Sequence, residues 1–322
     1  MKERNLALEL VKFFAVITVA NHWFGPLYGK WEAFATGGAI GDALFFFASG
    51  FTLFLGRFGR FDNWYKRRIR RIYPSIFAFA IILSYLGIKH LDMSQIIKGG
   101  GYWFVLCIMI YYVVLYFVHR FAEHKPFVPF LLSGAVILGW YLIEDSSSMF
   151  MFGMNYFKWG FYFLFMMMGA YLGNKTIELK SRPLIDLVML ILSVVVFYGI
   201  QFFAGRYVWV AHLQIVALIP LLAIVAYIYK LCSIDKVTDF MKTKFGLCLR
   251  FVSGLCLEIY ICSDVVIKFM EGKMMNLFPL NLGGAFLLIV ALAYVTRCLA
   301  RVFSQIFEKD DMDWKAVFKL IP

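Results

Sequence analysis

Apolar residues form long, nearly unbroken runs along the whole chain, separated by short polar segments. Folded as an α-helix, a run of about 18 residues or more crosses the ~30 Å hydrocarbon core of a membrane. Open sheets and loops cannot do so, because their backbone polar groups would stay unsatisfied. The pattern therefore predicts an all-α fold, a polytopic bundle of about ten transmembrane helices. The predicted helices lie roughly at 6–24, 39–56, 73–89, 102–119, 127–143, 157–173, 184–204, 207–229, 246–267 and 283–303.

Lysine and arginine are unequally divided between the two sides of this predicted bundle. When both termini are placed inside, 24 of the 32 Lys and Arg residues fall in inner segments and 7 in outer ones. Cytoplasmic segments of membrane proteins are enriched in these residues, so both termini are predicted to be cytoplasmic. Topology and anionic lipid then explain the net charge of +12, and no nucleic-acid partner is needed.

Composition excludes a soluble globular protein, since 62% of the residues are hydrophobic and only 16% are charged. The segments between the apolar runs are too short for a separate soluble domain. Residues 1–322 are therefore predicted to form one membrane-embedded domain with a short cytoplasmic tail from about 304. The six cysteines show no metal-type spacing, and no metal is expected.

A few ionisable residues fall inside the predicted membrane helices, where each costs a few kcal/mol and is a functional candidate by default. They are Glu9, Lys12, His22, Asp42, Glu258 and Asp264. Glu9 and Lys12 are three positions apart and can pair on one helix face. A carboxylate at Glu258 must be paired, protonated or next to a wet cavity, and Lys12 or an arginine at the inner face is a possible partner.

His22 lies ~17 residues from the inner end of the first predicted helix, which places it ~25 Å away, near the outer face. Two interpretations remain open for it. An imidazole is comfortable at a membrane boundary, and a neutral imidazole can also serve as a general base that takes a proton from a hydroxyl group.

A strongly basic segment follows the second predicted helix. It contains Arg67, Arg68, Arg70 and Arg71, just before Tyr73. Clustered guanidinium groups suit bidentate binding of phosphate, although a patch for lipid headgroups is equally consistent with the charge. The small residue Gly50, in the helix before this segment, is predicted to let two helices approach closely.

Six segments, in order, resemble the acyltransferase-3 family of bacterial inner-membrane acyltransferases over nearly the whole chain. They are ELVKFFAVITVANH, GDALFFFASGF, WYKRRIRRIYP, YWFVLCIMIYY, YFLFMMMGAYLG and SGLCLEIYI. The resemblance implies a membrane-bound O-acyltransferase in the bacterial inner membrane. Such an enzyme moves an acyl group, usually acetyl from cytoplasmic acetyl-CoA, to a hydroxyl of a surface polysaccharide or its lipid-linked precursor.

The family's first-helix motif, an Arg followed by ten residues and a His, matches Lys12 and His22 with two departures. Lysine replaces arginine, and nine residues intervene instead of ten. On an ideal helix, eleven positions leave two side chains ~20° apart, whereas ten leave them ~80° apart unless a local bulge restores the alignment. Glu258 matches the family's acidic residue in LEIY, and Ser263 stands where the family often has a histidine.

The resemblance and the residues together predict that donor binding and catalysis are carried out by different groups of residues. Acyl-CoA is expected to bind a site that consists of Arg67, Arg68, Arg70, Arg71 and Tyr73. His22 is expected to act on the acceptor hydroxyl as a base or to carry the acyl group, with Asn21 or a nearby tyrosine orienting it, and with Lys12 and Glu258 as further catalytic candidates. The expected partners are acyl-CoA, a glycan or lipid-linked glycan, and membrane lipid.

Two other classes of protein remain open from the sequence. A transporter or flippase of a lipid-linked glycan also has about ten helices and a few buried charges. A non-catalytic partner in a polysaccharide assembly complex is the second alternative.

Overall fold

The structure, a computed structural model, describes residues 5–54, 56, 58–122, 125–143, 151–153, 156–173, 181–271, 278–306 and 312–320, and all regular structure within these ranges is helical. In chain order the α-helices are α1 Leu6–Trp23, α2 Gly25–Tyr28, α3 Gly38–Phe54, α4 Phe61–Tyr85, α5 Met93–Ile97, α6 Trp103–Ala122, α7 Phe127–Ile143, α8 Lys158–Gly173, α9 Pro183–Ala204, α10 Val208–Ala211, α11 Leu218–Cys232, α12 Asp235–Phe240, α13 Lys244–Gly254, α14 Cys256–Met270, α15 Leu280–Ile306 and α16 Trp314–Val317. Two 3₁₀ helices lie at Gly29–Phe34 and Gln214–Ala217.

Several helices are long and apolar enough to cross a membrane. Among the described residues five helical segments pass by length and composition, namely α1, α6, α9, α15 and Gln214–Cys232. Two bent pairs raise the number to seven if each pair is one span: Gly25–Phe34 with α3, bent by 102°, and α13 with α14, bent by 70°. The all-α, multi-pass prediction is confirmed, whereas the number of ten spans and the cytoplasmic side of both termini stay predictions.

The basic segment is helical, which corrects the predicted start of the third helix at residue 73. α4 begins at Phe61 and continues to Tyr85, so all four arginines lie in its first half. Lysine and arginine are good helix formers, and Asp62 in the first turn favours a helix start through its interaction with the helix dipole. The arginines are therefore held on a defined helical surface.

One predicted helix is interrupted in the middle. The run at 246–267 divides into α13 and α14 at Leu255, directly after Gly254. Glycine weakens a helix, because it loses the most backbone entropy on folding. A hydropathy profile averages over many residues. A break of one residue therefore cannot be seen in it.

The chain divides into two compact units by its internal contacts. Unit 1 consists of Met1–Ala15, Ala39–Arg57 and Val114–Gly246. Unit 2 consists of Val16–Gly38, Phe58–Val113 and Leu247–Pro322.

Unit 1 contains a close contact between the backbones of α3 and α8. A Cβ atom added to Gly50 would lie 1.9 Å from the carbonyl oxygen of Met166, and one added to Gly169 would lie 2.1 Å from that of Phe47. Only glycine fits at either position, and the packing role predicted for Gly50 is confirmed.

Unit 1 also contains a buried ion pair between α9 and α11. The ammonium of Lys230 donates to the carboxylate of Asp186, which accepts two further bonds, from the Ser181 hydroxyl at 2.9 Å and from the Arg182 backbone N–H at 2.7 Å. Asp186 is 1% exposed. This buried carboxylate is thus fully compensated within its unit, and its role is structural.

Unit 2 is built around α4, α14 and α15, each of which packs against the other two. The short helix α2 contacts α14 and α15, and the Asn281 amide donates to the Leu27 carbonyl at 2.9 Å. α16 is attached to the end of α15, because the Arg301 guanidinium donates to the carbonyl oxygens of Val317 and Lys319. Unit 2 thus holds most of the predicted functional residues, namely His22, Glu258 and the four arginines of α4.

Gly50→Ala is expected to destabilise the protein at the upper end of the ~1–3 kcal/mol typical of overpacking, because the new methyl group would meet a backbone carbonyl. The measurement is the thermal unfolding midpoint in detergent. Gly199→Ala in α9 is the matched control, since no atom lies within 4 Å of its added Cβ. A midpoint for Gly50→Ala equal to that of the control would contradict the close contact.

Candidate active site

A buried salt bridge lies where the three main helices of unit 2 meet. Glu258, in the first turn of α14, is 0% exposed. Arg297 of α15 binds it with two parallel bonds, from Nε to Oε1 at 2.7 Å and from Nη2 to Oε2 at 2.6 Å. The Ser75 hydroxyl of α4 donates to Oε1 at 2.6 Å, and Arg297 Nη2 also donates to the Gly254 carbonyl at 2.7 Å. The carboxylate is paired and hydrogen-bonded, so its burial is compensated.

The partner of Glu258 is therefore an arginine, one of the two kinds of partner that the sequence suggested. Arg297 is not among the predicted site residues, although its position inside the last apolar run is a signal that identifies it as a candidate. Both carboxylate oxygens of Glu258 are bound and shielded from solvent, and its catalytic role stays a prediction.

One arginine of the α4 cluster packs on a buried tryptophan. The Arg68 guanidinium lies over the ring of Trp64, 5.0 Å from its centroid, and Trp64 in turn stacks on Phe58. Burial lowers the pKa of the Arg68 guanidinium, and the positive charges of Arg71 and Arg67 lower it further. Within the described residues, the buried Nε of Arg68 has no hydrogen-bond partner. The guanidinium is thus held on the indole ring by cation–π attraction.

The other three arginines of the cluster are exposed. Arg67, Arg70 and Arg71 lie three and four positions apart, so they point within an arc of about 100° around the helix. Arg70 and Arg71 have no ion pair to any residue that the structure describes. Tyr73 does not join this group by a hydrogen bond, because its hydroxyl donates to the Ile97 carbonyl at 2.8 Å and so attaches α4 to α5.

His22 lies exposed in the last turn of α1. The chain returns after the 3₁₀ helix and packs against this turn. A Cβ on Gly38 would be 2.8 Å from Cδ2 of the imidazole, and one on Gly37, whose φ is +104°, would be 3.1 Å from Thr18. The positive φ favours glycine at position 37, and the Gly38 backbone lies against one side of the imidazole while the side chain as a whole stays exposed.

Asn21 holds the returning chain and makes no hydrogen bond to His22 among the described residues. Its amide nitrogen donates to the carbonyl oxygens of Phe34 at 2.8 Å and Thr36 at 2.9 Å, and its oxygen accepts from the Tyr28 hydroxyl at 2.7 Å. These bonds leave little capacity to orient the imidazole directly. Asn21 instead positions the segment that carries Gly38 against His22.

Lys12 pairs with Glu9 at 3.4 Å, as the spacing predicted. The helix from Leu6 to Trp23 is α-helical throughout, with no bulge, so Lys12 and His22 stay ten positions apart on a regular helix. That separation is ~15 Å along the axis and ~80° around it. The structure therefore does not bring Lys12 to the imidazole.

Two other acidic residues of the membrane helices have different environments. Asp264 is paired with Lys268 at 2.9 Å on α14. The Oδ1 atom of Asp42, in unit 1, is buried and has no hydrogen-bond partner in the described part of the chain. No group of three His, Cys, Asp or Glu side chains that could hold a metal ion occurs among the described residues.

Comparison with known proteins gives one match. A family model described as "Acyltransferase domain" matches residues 5–298, nearly the whole chain. Neither the curated proteins nor the solved structures give a match.

Arg297→Met is expected to cost about 3–5 kcal/mol of stability, because it leaves the Glu258 carboxylate buried without its charge partner. The double variant Glu258→Met with Arg297→Met is expected to recover much of that loss, since no unpaired charge remains. Thermal unfolding in detergent measures both. An unchanged unfolding midpoint in Arg297→Met would show that the ion pair with Glu258 does not stabilise the protein.

Proposed function

Since the chain belongs to the acyltransferase-3 family, we propose that this membrane acyltransferase moves an acyl group, most simply acetyl, from cytoplasmic acyl-CoA to a hydroxyl of a cell-surface glycan or its lipid-linked precursor. The arginine cluster of α4 binds the donor, and His22 acts at the hydroxyl. The site lies in the bacterial inner membrane, with the arginines on the cytoplasmic side and His22 near the opposite face.

The observation that carries this proposal is the arginine cluster on α4. Coenzyme A bears several phosphate charges, and guanidinium groups bind phosphate with two parallel hydrogen bonds. Arg70 and Arg71 are exposed and have no ion pair among the described residues, and the buried Nε of Arg68 lacks an acceptor there. Mutual repulsion between these cations is relieved when an anion binds, which favours phosphate over water at this surface.

The chemistry proposed for His22 is the transfer of one proton. A nitrogen of the neutral imidazole accepts the proton of the acceptor hydroxyl while the hydroxyl oxygen attacks the thioester carbonyl. The carbon–sulfur bond breaks, and the leaving thiolate takes up the proton from the imidazolium. In the covalent variant of the mechanism, an imidazole nitrogen attacks the thioester carbonyl, the carbon–sulfur bond breaks, and coenzyme A leaves as the thiolate. The acceptor hydroxyl then attacks the acyl-imidazolium, the carbon–nitrogen bond breaks, and the hydroxyl proton passes to the thiolate. Both variants need an accessible imidazole, and His22 is exposed.

A carrier for a lipid-linked glycan is the second candidate function, and the two bent helix pairs favour it. Transporters often bind their substrates at broken membrane helices, and the pairs here bend by 102° and 70°. Transfer of label from a radioactive acyl donor separates the two functions, because a carrier leaves the donor intact.

His22→Ala is expected to lower acyl transfer from labelled acetyl-CoA by at least about 100-fold, the contribution of a positioned acid–base group. The helical circular dichroism should be unchanged, because the side chain is exposed. His212→Ala is the matched control, since His212 is also exposed and belongs to unit 1, whereas the proposed site belongs to unit 2. Full activity of His22→Ala would eliminate His22 as the reactive group.

Arg70→Gln and Arg71→Gln are each expected to raise the KM for acetyl-CoA about tenfold, the effect of losing one charge-assisted hydrogen bond. The maximal rate should change little, because these residues contact the donor far from its thioester. Arg60→Gln serves as control, since Arg60 is exposed next to the start of α4 and pairs with Asp62 at 3.4 Å. If all three variants had the KM of the wild type for acetyl-CoA, the donor would bind at another site.

A further inference from the structure

A cavity of about 560 Å³ opens in unit 2, at the end of α4 that lies away from the arginines. The residues that form its wall include Phe79, Leu83, Gly101, Tyr102, Asp264 and Lys268. Phe79 and Leu83, its wall residues on α4, follow Arg71 by eight and twelve residues, which is ~12 and ~18 Å along the helix. None of the four arginines lines the cavity, and its volume is in the range of small-molecule binding pockets, roughly 300–1,000 Å³.

Three consecutive glycines shape one edge of this cavity. Residues 99, 100 and 101 have φ values of +80°, +71° and +87°, in the left-handed region that favours glycine. Gly99 packs closely, since a Cβ there would be 2.8 Å from the Val105 side chain, whereas a Cβ on Gly101 would meet no atom within 4 Å. The turn therefore leaves open space at the cavity mouth where side chains would otherwise stand.

Polar groups on the cavity wall have capacity left for a ligand. The Asp264 carboxylate accepts from Lys268 through Oδ2 at 2.9 Å, and its Oδ1 has no hydrogen bond within the described part of the chain. The Tyr102 hydroxyl donates to the Ile261 carbonyl at 2.7 Å, so its oxygen can still accept a bond. Lys89 and Lys268 add ammonium donors to the wall.

Aromatic rings supply the apolar part of the wall. Phe79 and Tyr102 lie with ring centroids 6.3 Å apart, and Phe269 also lines the cavity. Flat apolar faces beside a carboxylate acceptor and ammonium donors suit a ligand that has apolar C–H faces and hydroxyl groups around its rim. A sugar ring combines both features.

We infer that this cavity binds a saccharide ring of the acyl acceptor, with Asp264 accepting a sugar hydroxyl and Lys268 or Lys89 donating to a sugar oxygen. The inference rests on the proposed function for the identity of the acceptor. Donor phosphates and acceptor sugar would then bind at successive levels of α4, the phosphates at the arginines and the sugar from Phe79 onward.

Saturation-transfer NMR on the purified protein in detergent tests this directly, without any acyl donor. The probes are methyl glucoside, N-acetylglucosamine and galactose, and the acyclic polyol sorbitol is the comparison ligand that lacks a ring. At least one of the three sugars is expected to receive saturation, and sorbitol much less. Asp264→Asn should weaken that binding about tenfold, the loss expected for one hydrogen bond to a charged group.

Val265→Trp provides a second variant, because Val265 lines the cavity and an indole there would fill it. Two control variants should bind like the wild type: Asp239→Asn, whose carboxylate pairs with Lys242 at 2.7 Å on the surface, and Val295→Trp, which is exposed on α15. No saturation transfer to any sugar, or equal transfer in both cavity variants and the wild type, would overturn the inference.

The acetyl-CoA experiment and the sugar-binding experiment test the two proposals separately. If the sugars bind in the cavity but the protein does not turn over acetyl-CoA, the cavity assignment stands and the proposed function fails. If labelled acetyl is transferred but both cavity variants bind sugar like the wild type, the proposed function stands and the cavity is not the acceptor site.

Discussion

The salt bridge between Glu258 and Arg297 is the interaction on which unit 2 depends. A carboxylate that is 0% exposed is tolerable only with its partner in place, so α14 and α15 must meet at this point. The Ser75 hydroxyl adds α4 to the same contact. Because each helix is rigid, this contact also fixes the positions of the other side chains along α4, α14 and α15. One row of residues along α4 shows the result: Arg71, Ser75, Phe79 and Leu83.

That row joins three different environments within a single helix. The arginines lie in the first half of the helix, Ser75 of the buried salt bridge follows one turn later, and the cavity wall begins one turn after that, at Phe79. The proposed function places phosphate at the arginines, and the further inference places sugar at the cavity.

The sequence predicted the helices and the charged groups better than it predicted their partners. Apolar runs identify helices because membrane burial requires internal backbone hydrogen bonding, and the Glu9–Lys12 pair followed from spacing alone. The contact between Glu258 and Arg297 joins residues 39 positions apart, which local spacing cannot reveal. The break at Leu255 was equally hidden, because hydropathy averages over it. The spacing of ten residues predicts that Lys12 and His22 lie on different faces of an ideal helix, and α1 is unbroken between them.

The proposed function depends on direct use of acyl-CoA as the donor. Acetyl-CoA labelled in the acetyl group can be incubated with the purified protein in lipid vesicles, and the label followed. We expect saturable binding of the donor and transfer of label to glycan or, slowly, to water, at rates well above those of empty vesicles. Intact donor after prolonged incubation, with no saturable binding, would exclude acyl-CoA as the donor.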